Sequence, residues 1–282
     1  MFLGVEIGGT KLQAGLCDTR GRVQELRRLP VDRRAGRAGI LAQLRALLPP
    51  LIAVGRPRAI GIGFGGPVDR TTGRVVRSHQ VDGWNRFPLR AWCAREVGLP
   101  VALENDANCA GLAEARVGAG RDRARVFYFN VGTGIGGALV IDGALFNGRF
   151  GAMELGQVCL GPRLGGGPKR LEDLASGLAI EHGVSTLRQA AECIGLVLAN
   201  AITLLNPDVV VVGGGVAQAG ERFLKPLRNA TARWVFEPYR PNYRIVPANL
   251  GETVVVVGAA LVAANGADER TSTSTSRKRS RS

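Results

Sequence analysis

Three glycine-rich bends, each closing a β-rich run, constrain the fold of this chain more than any other feature. Gly8-Gly9-Thr10 ends FLGVEI, Gly132-Thr133-Gly134 ends RVFYFNV, and Gly213-Gly214-Gly215 ends DVVVV. After the first two the chain doubles back, as KLQAGLCD and as IGGALVI. The same strand, glycine turn and return strand therefore open the chain and recur near residue 125, which predicts an internal duplication. VQELRRLPV adds a third strand to the first hairpin. Apolar residues at helical spacing (Ile40, Leu41, Leu44, Leu47, Leu48, Leu51) predict a helix over 38–54, its end interrupted by Pro49 and Pro50. Further helices are predicted over 89–97, 106–117, 187–205, 216–235 and 254–264, and strands at AIGIGFGGPV (ending in glycine and proline), VALEN, DVVVVGGG and 243–247. Mixed β and α units twice over imply an α/β protein of two lobes with a cleft between them. The expected division is residues 1–117, with 252–265 packing back on them, and residues 118–251. TSTSTSRKRSRS is low-complexity, so 266–282 is expected to be a disordered basic tail.

Composition excludes several classes. At 45% hydrophobic and 21% charged residues the chain can bury a core, so general disorder is ruled out. The apolar stretches MFLGVEIGG and VVVVGGGV are broken by glycine, and no basic-then-apolar leader opens the chain. The expectation is therefore a soluble cytoplasmic protein with no membrane partner. Five widely spaced cysteines without a CxxC pair argue against a disulfide framework or a zinc finger. The net charge of +14 would attract polyanions. Yet 33 of the 37 basic residues are scattered arginines, so no specific nucleic-acid partner is expected.

Glycine lets a backbone approach an anion and aim several N–H groups at it, and a threonine hydroxyl adds a donor. A tight hairpin turn also favours glycine, but three such bends, two with threonine, favour phosphate contact. GxxxxGK[ST] is absent, which excludes a P-loop. Gly132, Gly134 and Gly137 match GxGxxG literally, but ALVIDGALF continues as a strand where that dinucleotide motif needs a helix. ENDAN (Glu104–Asn108) sets Asn105 and Asp106 where a strand ends and a helix begins. A carboxylate there is held charged by the helix N-terminus and is available as a base without a raised pKa; on its own, though, the pattern favours a simple N-cap. Glu154 and Glu172 are further acids that could converge on a polyhydroxyl ligand, although either one alone reads as a solvated surface carboxylate.

Taken in order, EIGGTK, GFGGPVD, GWNRFPL, ENDAN, VGTGIGGALV, LEDLASG, NPDVVVVGGGVA and VVGAALVA resemble the blocks of the ROK-family sugar kinases, named for repressors, open reading frames and kinases. The resemblance spans about residues 3–264. It implies an actin-like ATPase fold of two ribonuclease-H-like lobes and ATP-dependent phosphorylation of a hexose or related sugar hydroxyl, as in glucokinases. By resemblance, Asp106 is the general base. Gly65, Gly66, Asn105, Asp106, Glu154, Gln157 and Glu172 bind the sugar. Glu6, Gly8, Gly9, Thr10, Lys11, Thr133 and Gly134 serve the phosphates, and Gly214 and Gly215 the adenosine side. ATP and Mg²⁺ are the implied cofactors, Glu6 reaching the metal through bound water. Homodimers are common among such relatives.

Four departures mark this chain. Glu6 stands where the family has aspartate, one methylene longer. The usual Gly-Glu-x-Gly-His reads Met153-Glu154-Leu155-Gly156-Gln157, and glutamine is a poor zinc ligand. The family's cysteine cluster is missing, since Cys159 stands alone and 161–169 holds none. No zinc is therefore expected, and Glu172 is expected to be held by packing alone. Finally, the stretch between Gly177 and Leu187 is short, and Gln80 replaces a common asparagine. Because the changes gather on the sugar side, the alternative function is a catalytically weak or inactive sugar sensor. The chain starts five residues before Glu6, so such a sensor is expected to lack the family's DNA-binding module.

Overall fold

The first glycine bend joins two strands, Phe2–Ile7 (β1) and Lys11–Cys17 (β2), which pair antiparallel from Phe2 opposite Cys17 to Ile7 opposite Leu12. Every residue of β1 is buried, as a strand covered on both faces must be. In the computed structural model, which describes residues 1–78, 80–148, 153–161, 167 and 169–279 (side chains to residue 267), the chain divides into two units. One comprises Met1–Ala113 with Glu252–Ser282, the other Glu114–Gly251.

In the first unit, Val23–Pro30 (β3) follows β2, and helix Gly36–Gly55 (α1) leads to Ile60–Phe64 (β4). A small hairpin, Val68–Asp69 (β5) and Arg74–Val75 (β6), precedes helix Leu89–Val97 (α2), strand Val101–Asn105 (β7) and helix Asp106–Val117 (α3). The sheet runs β3-β2-β1-β4-β7, with β1, β4 and β7 parallel. Its core joins Leu3, Val5, Ile60 and Ile62 to Ile40, Leu44 and Leu48 of α1 and to Trp84.

The second unit repeats the plan. Arg125–Val131 (β8), Ile135–Ile141 (β9) and Ala144–Phe146 (β10) form an antiparallel meander. Past the pair Cys159–Leu160 (β11) and Lys169–Arg170 (β12) come helices Leu171–Ala175 (α4), Gly177–Glu181 (α5) and Leu187–Leu205 (α6). Val209–Gly213 (β13), helix Glu221–Trp234 (α7) and Arg244–Pro247 (β14) complete it. The order β10-β9-β8-β13-β14, with β8, β13 and β14 parallel, reproduces the first sheet strand for strand. The duplicated bend is thus the visible trace of a duplicated fold.

The last helix, Val254–Arg279 (α8), lies on β1 and β4 at backbone contact. A Cβ on Gly4 or Gly61 would strike the carbonyl oxygens of Val256 and Ala259. Small residues in VVVVGAALVAA are what allow this approach.

Several expectations are corrected. Pro49 and Pro50 do not interrupt α1, which continues to Gly55; its buried face through Leu47, Leu48 and Leu51 outweighs the lost helical hydrogen bonds. The helix expected over 216–235 is broken at Gly220 (φ 61°), leaving a single 3₁₀ turn before α7. Helix α8 runs to Arg279, beyond the tail boundary at 266; nothing in the intervening sequence is a strong helix breaker other than Gly266. The first unit ends at Ala113 instead of 117, because Glu114 is bonded to residues 119, 249 and 250. Two helical stretches, Arg33–Gly55 and Leu187–Leu205, are long and apolar enough to cross a membrane, contrary to the sequence expectation. Both direct apolar faces into the core of their own unit: Ile40, Leu44 and Leu48 in the first, and Ile194, Leu198 and Ile202, packed with Val210, Val212 and Phe223, in the second.

Candidate active site

Strand register sets the first unit's site. Ile7, Phe64 and Asn105 share one rung of β1, β4 and β7, so Gly8, Gly65 and Asp106 leave the sheet side by side. Gly65 N donates to Ile7 O at 2.9 Å. A Cβ on Gly65 would lie 3.4 Å from Asp106 Oδ2 and 3.5 Å from Gly8 Cα, which measures how closely the three converge. Carboxyl ends of parallel strands are where open α/β sheets bind ligands.

Asn105 proves to be the side chain that caps α3: its Oδ1 accepts from Asn108 N at 3.1 Å. Its amide nitrogen donates to Gly66 O at 3.1 Å and to Asp106 Oδ1 at 3.0 Å, so both ends of the side chain are engaged within the protein. Asp106 Oδ1 also accepts from Ala107 N at 2.8 Å. Its Oδ2 is the oxygen beside Gly65. The expectation that Asp106 needs no raised pKa is overturned. Loss of water, then the charge of Glu6, push it up to about 7, and the hydrogen bonds from backbone N–H groups and Asn105 recover only part of the shift.

Glu6 is 8% exposed. Lys11 Nζ lies 3.5 Å from its Oε1, and Gln13 donates to its Oε2. Arg28 Nε in turn donates to Gln13 Oε1 at 2.9 Å, and its Nη1 pairs with Glu252 Oε2 at 2.7 Å. Burial raises the Glu6 carboxyl, and Lys11 opposes it. The bend itself is closed by Gly8 N donating to Lys11 O at 3.0 Å. Arg33 Nε donates to Gly9 O at 2.7 Å, and Thr10 is exposed. Gln80 leans on Gly9, where a Cβ would collide with it.

In the second unit the other two bends meet. Val131 opposite Ile135 closes the first, with Gly132 N donating to Gly134 O at 2.9 Å. Gly214, at φ 87°, presses against the backbone of Val131, where no side chain would fit. Thr133 and Gly215 are exposed. The GxGxxG match is indeed a hairpin, since β9 follows it.

Glu172, in the first turn of α4, accepts from Ile135 N through Oε2 at 2.9 Å. Packing alone does not hold it, as the sequence had suggested; a backbone hydrogen bond does. Glu154 and Gln157 lie exposed on the turn 153–157, which rests on β9 because Gly137 and Gly156 carry no side chain. Partial burial and then the Glu172 charge raise the Glu154 carboxyl. Met153 sits at φ 63°, a strained conformation for a side chain with a Cβ, and occupies the position where the motif usually has glycine.

The predicted residues thus fall into two sets: Glu6, Gly8–Lys11, Gly65, Gly66, Asn105 and Asp106 in one unit, and Thr133, Gly134, Glu154, Gln157, Glu172, Gly214 and Gly215 in the other. Most of the glycine-rich stretch 161–169 lies outside the described residues. Sequence reasoning missed Glu104, 2% exposed, whose Oε1 accepts from Asn105 N and Asn108 Nδ2, both at 2.9 Å, while Arg70 lies 3.4 Å from Oε2. An acid in an otherwise buried strand was the available signal.

A profile of the ROK family matches residues 2–190 and 181–265. The chain belongs to the ROK family. A glucokinase of Streptomyces coelicolor is 29% identical over 92% of this chain and 96% of its own length. The ROK hexokinase of Thermus thermophilus superposes with a TM-score of 0.81 at 30% identity, covering 95% of this chain and 99% of that one. A ROK-family glucokinase from Streptomyces griseus, solved with glucose and AMPPNP, gives 0.80 at 30% identity over 94% and 99%. The duplicated sheets are accordingly the two halves of the actin-like ATPase fold.

Proposed function

We propose that this ROK-family chain transfers the γ-phosphoryl group of ATP to a hydroxyl of a hexose or closely related sugar, with Asp106 as the general base. The class of ATP-dependent sugar kinase rests on family membership and on the glucokinase and hexokinase relatives. The base rests on one observation: Asp106 Oδ2 stands beside Gly65 and the Gly8 bend at the carboxyl ends of three parallel strands. The sugar oxygen forms the new bond to the γ-phosphorus while its proton passes to Asp106 Oδ2. The bond from that phosphorus to the bridging oxygen breaks, and ADP departs. Phosphoryl transfer needs chiefly position and charge compensation, and a base near pKa 7 is matched to neutral pH.

Asn105 orients the base from Oδ1, and Glu154, Gln157 and Glu172 are the proposed sugar ligands. The backbones of Gly8–Lys11, Thr133–Gly134 and Gly214–Gly215 take the nucleotide. Among the described residues no cluster of three or more His, Cys, Asp or Glu can cage a metal. Both Glu6 oxygens are engaged by Lys11 and Gln13. Such a donor set fits Mg²⁺ carried mainly by phosphate and water, with Glu6 reaching it through a water. When bound, that ion neutralises phosphate charge. Zinc has no part in the proposed site.

A coupled assay of ADP release over a panel of hexoses tests the reading. Turnover on at least one sugar is expected, unaffected by zinc chelation once Mg²⁺ is restored. Sugar binding by calorimetry without turnover on any hexose would instead make the chain a sensor.

A further inference from the structure

We propose that Glu172 is a positioning residue for the nucleotide bend, fixing the Thr133–Gly134 backbone before any sugar arrives. This rests on the reading of that bend as phosphate-binding. The segment 172–177 grips the bend at both ends. Glu172 Oε2 accepts from Ile135 N at 2.9 Å on the outgoing side, and Gly177 N donates to Gly132 O at 2.7 Å on the incoming side. Between them there is no spare room: a Cβ on Gly134 would strike Glu172 Oε2, and one on Gly156 would lie 3.2 Å from the same oxygen.

Packing and backbone hydrogen bonds anchor the grip. Leu171 and Ala175, on either side of Glu172, are 0% exposed, and Leu171 N donates to Val158 O at 2.9 Å. Asp173 Oδ2 accepts from Arg170 N at 3.2 Å, closing the start of α4. A carboxylate near phosphates is repelled by them, so its bond to a backbone N–H is an arrangement whose benefit is geometric. A bend with loose N–H groups would have to be ordered at each binding event.

Calorimetry with Mg²⁺ and AMPPNP, in the absence of sugar, separates this role from sugar binding. Glu172→Ala is expected to weaken AMPPNP by roughly tenfold, the scale of a lost charge-assisted hydrogen bond. Glu172→Gln keeps an acceptor for Ile135 N, so its AMPPNP affinity should stay within about threefold of the parent while sugar affinity falls. If Glu172→Ala does not fold, Glu172→Asp, one methylene too short to reach Ile135 N, is expected to show the same loss. Parent-like AMPPNP binding by a folded Ala or Asp variant would overturn the proposal. A parent that binds no AMPPNP would overturn the phosphate-bend reading itself.

Discussion

Replacing Asp106 with asparagine should make the protein more stable while removing its base. The carboxyl titrates near 7 in the folded chain against an ordinary 3.8, because burial and Glu6 both oppose its charge. The folded state therefore holds a proton that the unfolded chain releases, and stability falls as pH rises through that interval. At about 1.4 kcal/mol per unit, three units set an upper limit of ~4 kcal/mol above pH 7. Because Asp106 is only partly buried in the folded chain, roughly 1–3 kcal/mol is the realistic range. Asparagine keeps an oxygen to accept from Ala107 N and Asn105 Nδ2, and its amide is not repelled by Glu6. Urea unfolding of parent and Asp106→Asn at pH 4, 6 and 8 measures the effect. The gain should be close to zero at pH 4 and largest at pH 8. A gain independent of pH, or a less stable variant at pH 8, would refute the reasoning.

Three other outcomes follow from the same structure. With the base titrating near 7, kcat/KM should fall about tenfold per unit below that pH and level off above it, as a pH–rate profile will show. At Met153, φ 63° should invert the usual ranking, so that Met153→Gly melts higher than Met153→Ala by about 1 kcal/mol in chemical denaturation. Glu114, 0% exposed, accepts from Ala119, Asn249 and Leu250 N. Glu114→Ala leaves three backbone donors without it and should destabilise the protein by ~3 kcal/mol or more, read from its unfolding midpoint.

Much of this was legible in sequence because it rests on local chemistry. The glycine bends marked the hairpins, and ENDAN placed Asp106 just past the end of a strand, whereas the strand read as AIGIGFGGPV stops at Phe64, which leaves Gly65 beyond it. Register then did what sequence does not state, setting Gly8, Gly65 and Asp106 on one level. Asn105 and Asp106 could not be told apart as caps, because either side chain suits a helix start and only the Asn105–Asn108 bond distinguishes them. The raised pKa of Asp106 was hidden for a similar reason. Its first cause is burial that only the assembled sheet creates, and its second is the charge of Glu6, about a hundred residues away. Likewise Glu172 read as a sugar ligand from its motif, while its bond to Ile135 N joins segments 37 residues apart.

Single-turnover phosphorylation of an accepted hexose by parent and Asp106→Asn tests the central claim most directly. A fall of roughly 10²–10⁴ in the chemical step, with sugar affinity within a few fold of the parent, is the predicted result. An Asp106→Asn protein that phosphorylates the sugar at the parent's rate would contradict it.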